Sequence, residues 1–127
     1  MRLLLDTHVF LWVVEDSARL SDAARKLIAQ ASEVYVSTAS LWEISIKASA
    51  GKIVADIDSL AAAIEGSGMI PLPVSLSHAV QVAHLPLRDG HKDPFDRLLV
   101  AQSMSEPLVL LTADRKLEAY GGPLRVA

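Results

Sequence analysis

The chain has 127 residues, a formal net charge of −3, no cysteine and 51% hydrophobic residues. That length fits one domain, 1–127, with room for a real core; the charge excludes a generic nucleic-acid sponge, and the lack of cysteine excludes disulfides. No apolar run approaches the ~18 residues needed to cross a bilayer, and Asp6 and His8 interrupt the greasy N-terminus too early for a signal peptide, so no membrane partner and a cytoplasmic location are expected.

RLLLD (2–6) reads as a short apolar strand ending on an aspartate, followed by the helical pattern HVFLWVVE and a break at Asp16-Ser17. SDAARKLIAQAS (21–32) opens on an N-cap serine and continues as a helix. VYVS (34–37) is a second strand, with a helix from Thr38 to about Ala50 that stops near Gly51. DIDSLAAAIE (56–65) is helical and closed by Gly66 and Gly68. MIPLPV (69–74) reads as an edge strand, because Pro71 and Pro73 remove ladder donors. LSHAVQVAHL (76–85) is helical up to Pro86, and a loop leads to a helix at 94–105. LVLLT (108–112) is a strand, DRKLEAY (114–120) a short helix ended by Gly121-Gly122, and PLRV (123–126) a last strand. Short apolar strands alternating with helices predict an α/β domain: a central, mainly parallel sheet of four to five strands flanked by helices. No linker, repeat or low-complexity tract divides it. The hydrophobic content is high for this length, so part of the apolar surface is expected to be covered by a partner or a second copy.

In such a sheet, ligands bind beyond the carboxyl ends of the strands. Asp6 ends the first strand, Glu43 lies in the early turns of the helix after the second, and Asp114 follows LVLLT by two residues. Asp96 lies in the first turn of the helix that feeds LVLLT. Topology therefore brings all four acids to one edge. Each also has a structural explanation: Asp6 and Asp114 as N-caps, Glu43 as the partner of Ser40 in a capping box, and Asp96 as a favourable charge at a helix N-terminus. Asp93 reads as the cap of that last helix, with Pro94 at its first position. Taken together, four like charges at one edge repel, and a divalent cation removes the conflict. Hard Mg²⁺ or Mn²⁺ takes oxygen ligands, and a metal-activated water hydrolyses phosphodiesters. The basic residues Arg88, Lys92, Arg97, Arg115 and Lys116 lie close by in sequence and are candidates to hold a nucleic-acid backbone. Zinc spacing, a P-loop, a G-x-G-x-x-G and a serine triad are all missing.

LLLDTHVFLW, STASLWEISIKASAGKI, HKDPFDRLLVAQS and LLTADRKLEAYG, in this order and spacing, resemble a PIN-domain ribonuclease of the VapC-like toxin type over nearly the whole chain. The resemblance implies a PIN-like fold and a Mg²⁺- or Mn²⁺-dependent endoribonuclease, the toxin of a type II toxin–antitoxin pair. It carries the metal-binding quartet to Asp6, Glu43, Asp96 and Asp114, and supporting polar roles to Thr7 and Thr112. Asp93 matches a subfamily DPFDR pattern, and His8 departs from the asparagine or serine that many relatives have there. RNA as substrate, a cognate antitoxin over the site and an adjoining apolar groove, a homodimer and a cytoplasmic setting are likewise implied. Trp12 and Trp42 are expected in the core, with the groove as the other option. Two alternatives remain: a non-catalytic partner-binding PIN-like module, and another Mg²⁺-dependent phosphohydrolase. A second aspartate two places after the first, usual in aspartyl-nucleophile phosphatases, is replaced here by His8.

Overall fold

A computed structural model describes residues 1–87, 93–122 and 124–126. Five strands form one sheet in the order β3-β2-β1-β4-β5: β1 (Arg2–Leu5), β2 (Glu33–Ser37), β3 (Ile70–Leu72), β4 (Val109–Thr112) and β5 (Leu124–Val126). Every pairing is parallel. The helices are α1 (Thr7–Glu15), α2 (Asp22–Gln30), α3 (Thr38–Ser49), α4 (Ile57–Gly66), α5 (Leu76–His84) and α6 (Pro94–Ser105), with a 3-10 helix at Arg115–Tyr120.

β1 lies at the centre because it can be buried on both faces. Leu3, Leu4 and Leu5 are wholly inaccessible. Side chains alternate across a strand, so Leu3 and Leu5 enter one core with Val9, Phe10, Val36, Ile44 and Leu111. Leu4 enters the other with Leu99, Val100, Leu110, Leu117 and Tyr120. Each such leucine contributes about 1.5–3 kcal/mol by burial, so the middle of the sheet is the best-anchored part of the chain. β3 sits at the edge, the position that suits Pro71 within it.

The helix boundaries follow their caps. Ser21 caps α2, Asp56 caps α4 and Asp93 caps α6 ahead of Pro94. α1 ends where Asp16 enters the left-handed region (φ 50°) and its amide bonds back to Trp12 and Val13; aspartate tolerates that conformation better than most residues. Strand β2 runs into α3 without a loop, so Ser37 closes the strand and caps the helix, accepting from the amide of Ala39. This overturns the capping box expected from Ser40 and Glu43. With the cap three residues earlier, both lie inside α3, and Glu43 finds other partners.

The strand order reverses at β1. From it the chain builds β2 and β3 on one side and β4 and β5 on the other. The crevice above the carboxyl ends of β1 and β4 is thus the topological switch point, where α/β sheets carry their ligands.

Candidate functional site

Asp6 follows β1 directly, and its amide continues the ladder by donating to the carbonyl of Leu111 at 3.0 Å. Its carboxylate caps α1, with Oδ1 accepting from the amide of Val9 at 2.8 Å. Oδ2 accepts from the hydroxyl of Thr112, the last residue of β4. The residue is only 5% exposed. Burial pushes the Asp6 carboxyl up from the ordinary carboxylate range, and the bonds from Thr112 and Val9 oppose this only in part.

Glu43 is also 5% exposed. Oε1 accepts from the Thr7 hydroxyl at 2.6 Å and Oε2 from the Lys47 ammonium at 2.9 Å. Thr7 lies 3.1 Å from the hydroxyl of Ser40, so the α1 N-terminus and α3 are joined by a small buried polar chain. Asp114 caps the 3-10 helix by accepting from Lys116, while its own amide donates to Thr112. Asp93 is exposed and accepts from the amides of Phe95 and Asp96. Phe95 meets Trp42 edge-on at 5.2 Å, which holds the Asp96 turn against the helix carrying Glu43.

One open cleft of about 460 Å³ is lined by Asp6, Glu43, Asp93, Asp96 and Asp114, together with His8, Trp12, Arg19, Lys47 and Ala113. The four acids of the expected quartet thus share a cleft at the switch point. Thr7 and Thr112 stand behind them as hydroxyl donors. Among the described residues, no three acidic, histidine or cysteine groups close on one point to enclose an ion. Mg²⁺ dehydrates reluctantly and usually takes one or two carboxylates plus waters rather than a full protein cage. The donor set is hard oxygen throughout, and a cation would offset the buried charge of Asp6.

The basic candidates part company. Arg88 and Lys92 lie outside the described residues. Arg115 and Lys116 are exposed beside Asp114, and Arg115 pairs loosely with Glu118 at 3.8 Å. Arg97 does not line the cleft. Its guanidinium donates to the carbonyls of Pro86, Val82 and Leu85 and to the Tyr120 hydroxyl, so it clamps the end of α5 to α6 and the 3-10 helix. Its donors are used inside the protein, which corrects its expected role on a nucleic-acid backbone. The cleft's own described cations are Arg19 and Lys47, neither anticipated. Helical spacing offered a signal for Lys47, four residues after Glu43. Nothing local marked Arg19. Trp12 is half-buried against the core and lines the cleft, whereas Trp42 is 63% exposed, contrary to its expected burial. His8 is exposed on the cleft wall, 6.3 Å from the Trp12 ring.

Comparison with known proteins gives a consistent picture. The family model described as PIN domain matches residues 3–123. Ribonuclease VapC22 of Mycobacterium tuberculosis is 31% identical over 126 residues, which cover 94% of this chain and 92% of that protein. A structure of VapBC2 from Rickettsia felis bound to a DNA fragment from its promoter superposes with a TM-score of 0.73 at 18% identity, covering 99% of this chain and 98% of that one. VapBC-5 of Mycobacterium tuberculosis, a member of the VapBC family of toxin–antitoxin systems, gives 0.62 at 22% identity, covering 98% and 96%. At those identities the two structures speak for the fold.

Proposed function

The chain belongs to the PIN-domain family, and from that premise we propose that it is the ribonuclease toxin of a VapBC-type toxin–antitoxin pair, a single PIN-like domain hydrolysing RNA phosphodiester bonds. The observation that carries this reading is the acidic cleft lined by Asp6, Glu43, Asp96 and Asp114 at the switch point of the sheet. These four carboxylates are the proposed holders of Mg²⁺ or Mn²⁺. When bound, the ion lowers the pKa of a water and offsets charge on the reacting phosphate.

The chain's own residues have separable tasks. Asp6 is fixed from two sides, by Thr112 and by the α1 N-terminus, so its carboxylate faces the cleft at no further ordering cost. Thr7 fixes Glu43 in the same way. Asp93 holds the α6 N-terminus in shape and thereby presents Asp96. Arg115 and Lys116 at the rim, with Arg88 and Lys92 before α6, are proposed to hold the RNA backbone by charge.

A protective partner fits this reading. An apolar groove lined by Leu11, Val14, Ile53 and Leu60 shares α1 with the cleft, which suits an antitoxin covering both. The exposed apolar side chains of Trp42, Ile46, Leu76 and Val80 suit a second copy of the chain. No helix among the described residues is long and apolar enough to cross a membrane; a cytoplasmic location is part of the proposal.

The test is to incubate the purified, partner-free protein with total RNA, with Mn²⁺ or with EDTA, beside Asp6→Asn and beside a phosphomonoester substrate. Cleavage of RNA that needs both the ion and Asp6 is the expected result. An inert protein whose stability ignores the ion would leave a partner-binding module, and turnover of the monoester alone would leave a different phosphohydrolase.

A further inference from the structure

An RNA backbone approaching this cleft meets five carboxylates, Asp6, Glu43, Asp93, Asp96 and Asp114, against two lining cations, Arg19 and Lys47. Phosphate is anionic, so beyond the charge a bound ion offsets, the excess of acid repels the strand unless the chain supplies positive charge of its own. Arg115 and Lys116 are not among the lining residues. Lys47 is, and it is held there. Its ammonium lies 2.9 Å from Glu43 Oε2, with one-third of its side chain exposed, while Glu43 is buried and its other oxygen is taken by Thr7. An ordinary pair at this helical spacing lies on a solvated face. This one has its carboxylate inside the protein and its cation on the wall of the cleft.

We propose that Lys47 is the phosphate-receiving residue of the site, a role that rests on the ribonuclease reading. Glu43 stores the ammonium at the wall while the cleft is empty of RNA, and the phosphodiester of a bound strand then takes it as a partner. An ammonium has three donors, so Lys47 engages a phosphate oxygen without leaving Glu43. Glu43 fixes the lysine through Oε2 while it remains one of the four acids proposed to hold the ion. Arg19, exposed at the same cleft, extends the positive track outward.

The experiment measures affinity for a short single-stranded RNA by fluorescence anisotropy in Ca²⁺ over a range of salt, with cleavage followed separately in Mn²⁺. Lys47→Met is expected to weaken binding about tenfold or more, as for a lost charged hydrogen bond. It should also flatten the plot of log affinity against log salt by about 0.7, the slope of one phosphate contact on a single strand. Lys47→Arg should restore both, and Lys52→Met, exposed and away from the cleft, should change neither. In cleavage, Lys47→Met should raise KM more than it lowers kcat. Lys47→Gln keeps a donor to Glu43 while removing the charge, and it serves if the methionine variant is poorly folded. Wild-type affinity and slope in the uncharged variants would overturn the proposal and leave Lys47 as the counter-ion of Glu43. Binding that depends on Lys47 in a protein that cuts no RNA would sink the nuclease reading and reduce this one to a phosphate contact in an RNA-binding cleft.

Discussion

Asp6 and Asp93 do the same local job in different surroundings. Each caps a helix through Oδ1, Asp6 for α1 and Asp93 for α6, and both line the same cleft. Asp93 is exposed, and its Oδ1 serves two amides at 2.9 and 3.1 Å. Asp6 is buried at the end of the central strand, takes a second bond from Thr112 across the sheet, and has its carboxyl pushed up by desolvation. Capping and function therefore do not compete as explanations. A cap in water satisfies a helix end and little else. A cap buried at the switch point carries a charge that the protein alone leaves poorly compensated.

Exchanging the acids one at a time is the sharpest way to break this contrast. Asp6→Asn should abolish RNA cleavage, by about 100-fold or more, since even outer partners of metal ligands cost 10–100-fold. Asp93→Asn keeps a capping oxygen and should stay within a few-fold in the same gel assay. If the two lose equally, burial is not what separates them. Thr112→Val removes the hydroxyl that orients Asp6 and should cost roughly 10–100-fold in kcat/KM, as an outer partner does.

Stability offers a subtler comparison. The folded pKa of Asp6 is raised. Its burial therefore costs nothing below the ordinary carboxylate range, where both folded and unfolded forms are protonated. The cost grows as pH rises towards the folded value and is complete above it. Asp6→Asn should then raise Tm at neutral pH. The gain should vanish in acid and shrink when Mg²⁺ stabilises the wild type; a gain that persists unchanged into acid would refute the desolvation account. Asp93→Ala, the smallest effect, should lower stability by about 1 kcal/mol through the lost cap.

The fold was legible because its signals are local. The leucine run of β1 marked a doubly buried strand, Pro71 and Pro73 marked an edge, and Asp93-Pro94 marked a helix start to the residue. The carboxyl-edge positions of the acids followed from element order alone. What escaped notice was set by partners far away in sequence. Glu43 answers to Thr7, 36 residues earlier, rather than to Ser40. Arg97 stood among basic neighbours and looked like a nucleic-acid contact, yet the carbonyls at the end of α5 claim it. Trp42 has a core residue's chemistry, but its direction on α3 is outward, and only its contact with Phe95 shows why it is tolerated.

The amide of Asp6 belongs to the hydrogen-bond ladder between β1 and β4. The centre of the sheet is where opening requires the whole domain to come apart. Hydrogen exchange at residue 6 should accordingly be as slow as global unfolding allows. With Asp6 rooted there, an inhibitor that only covers the cleft's mouth leaves that carboxylate in place, and activity should return intact as soon as it leaves.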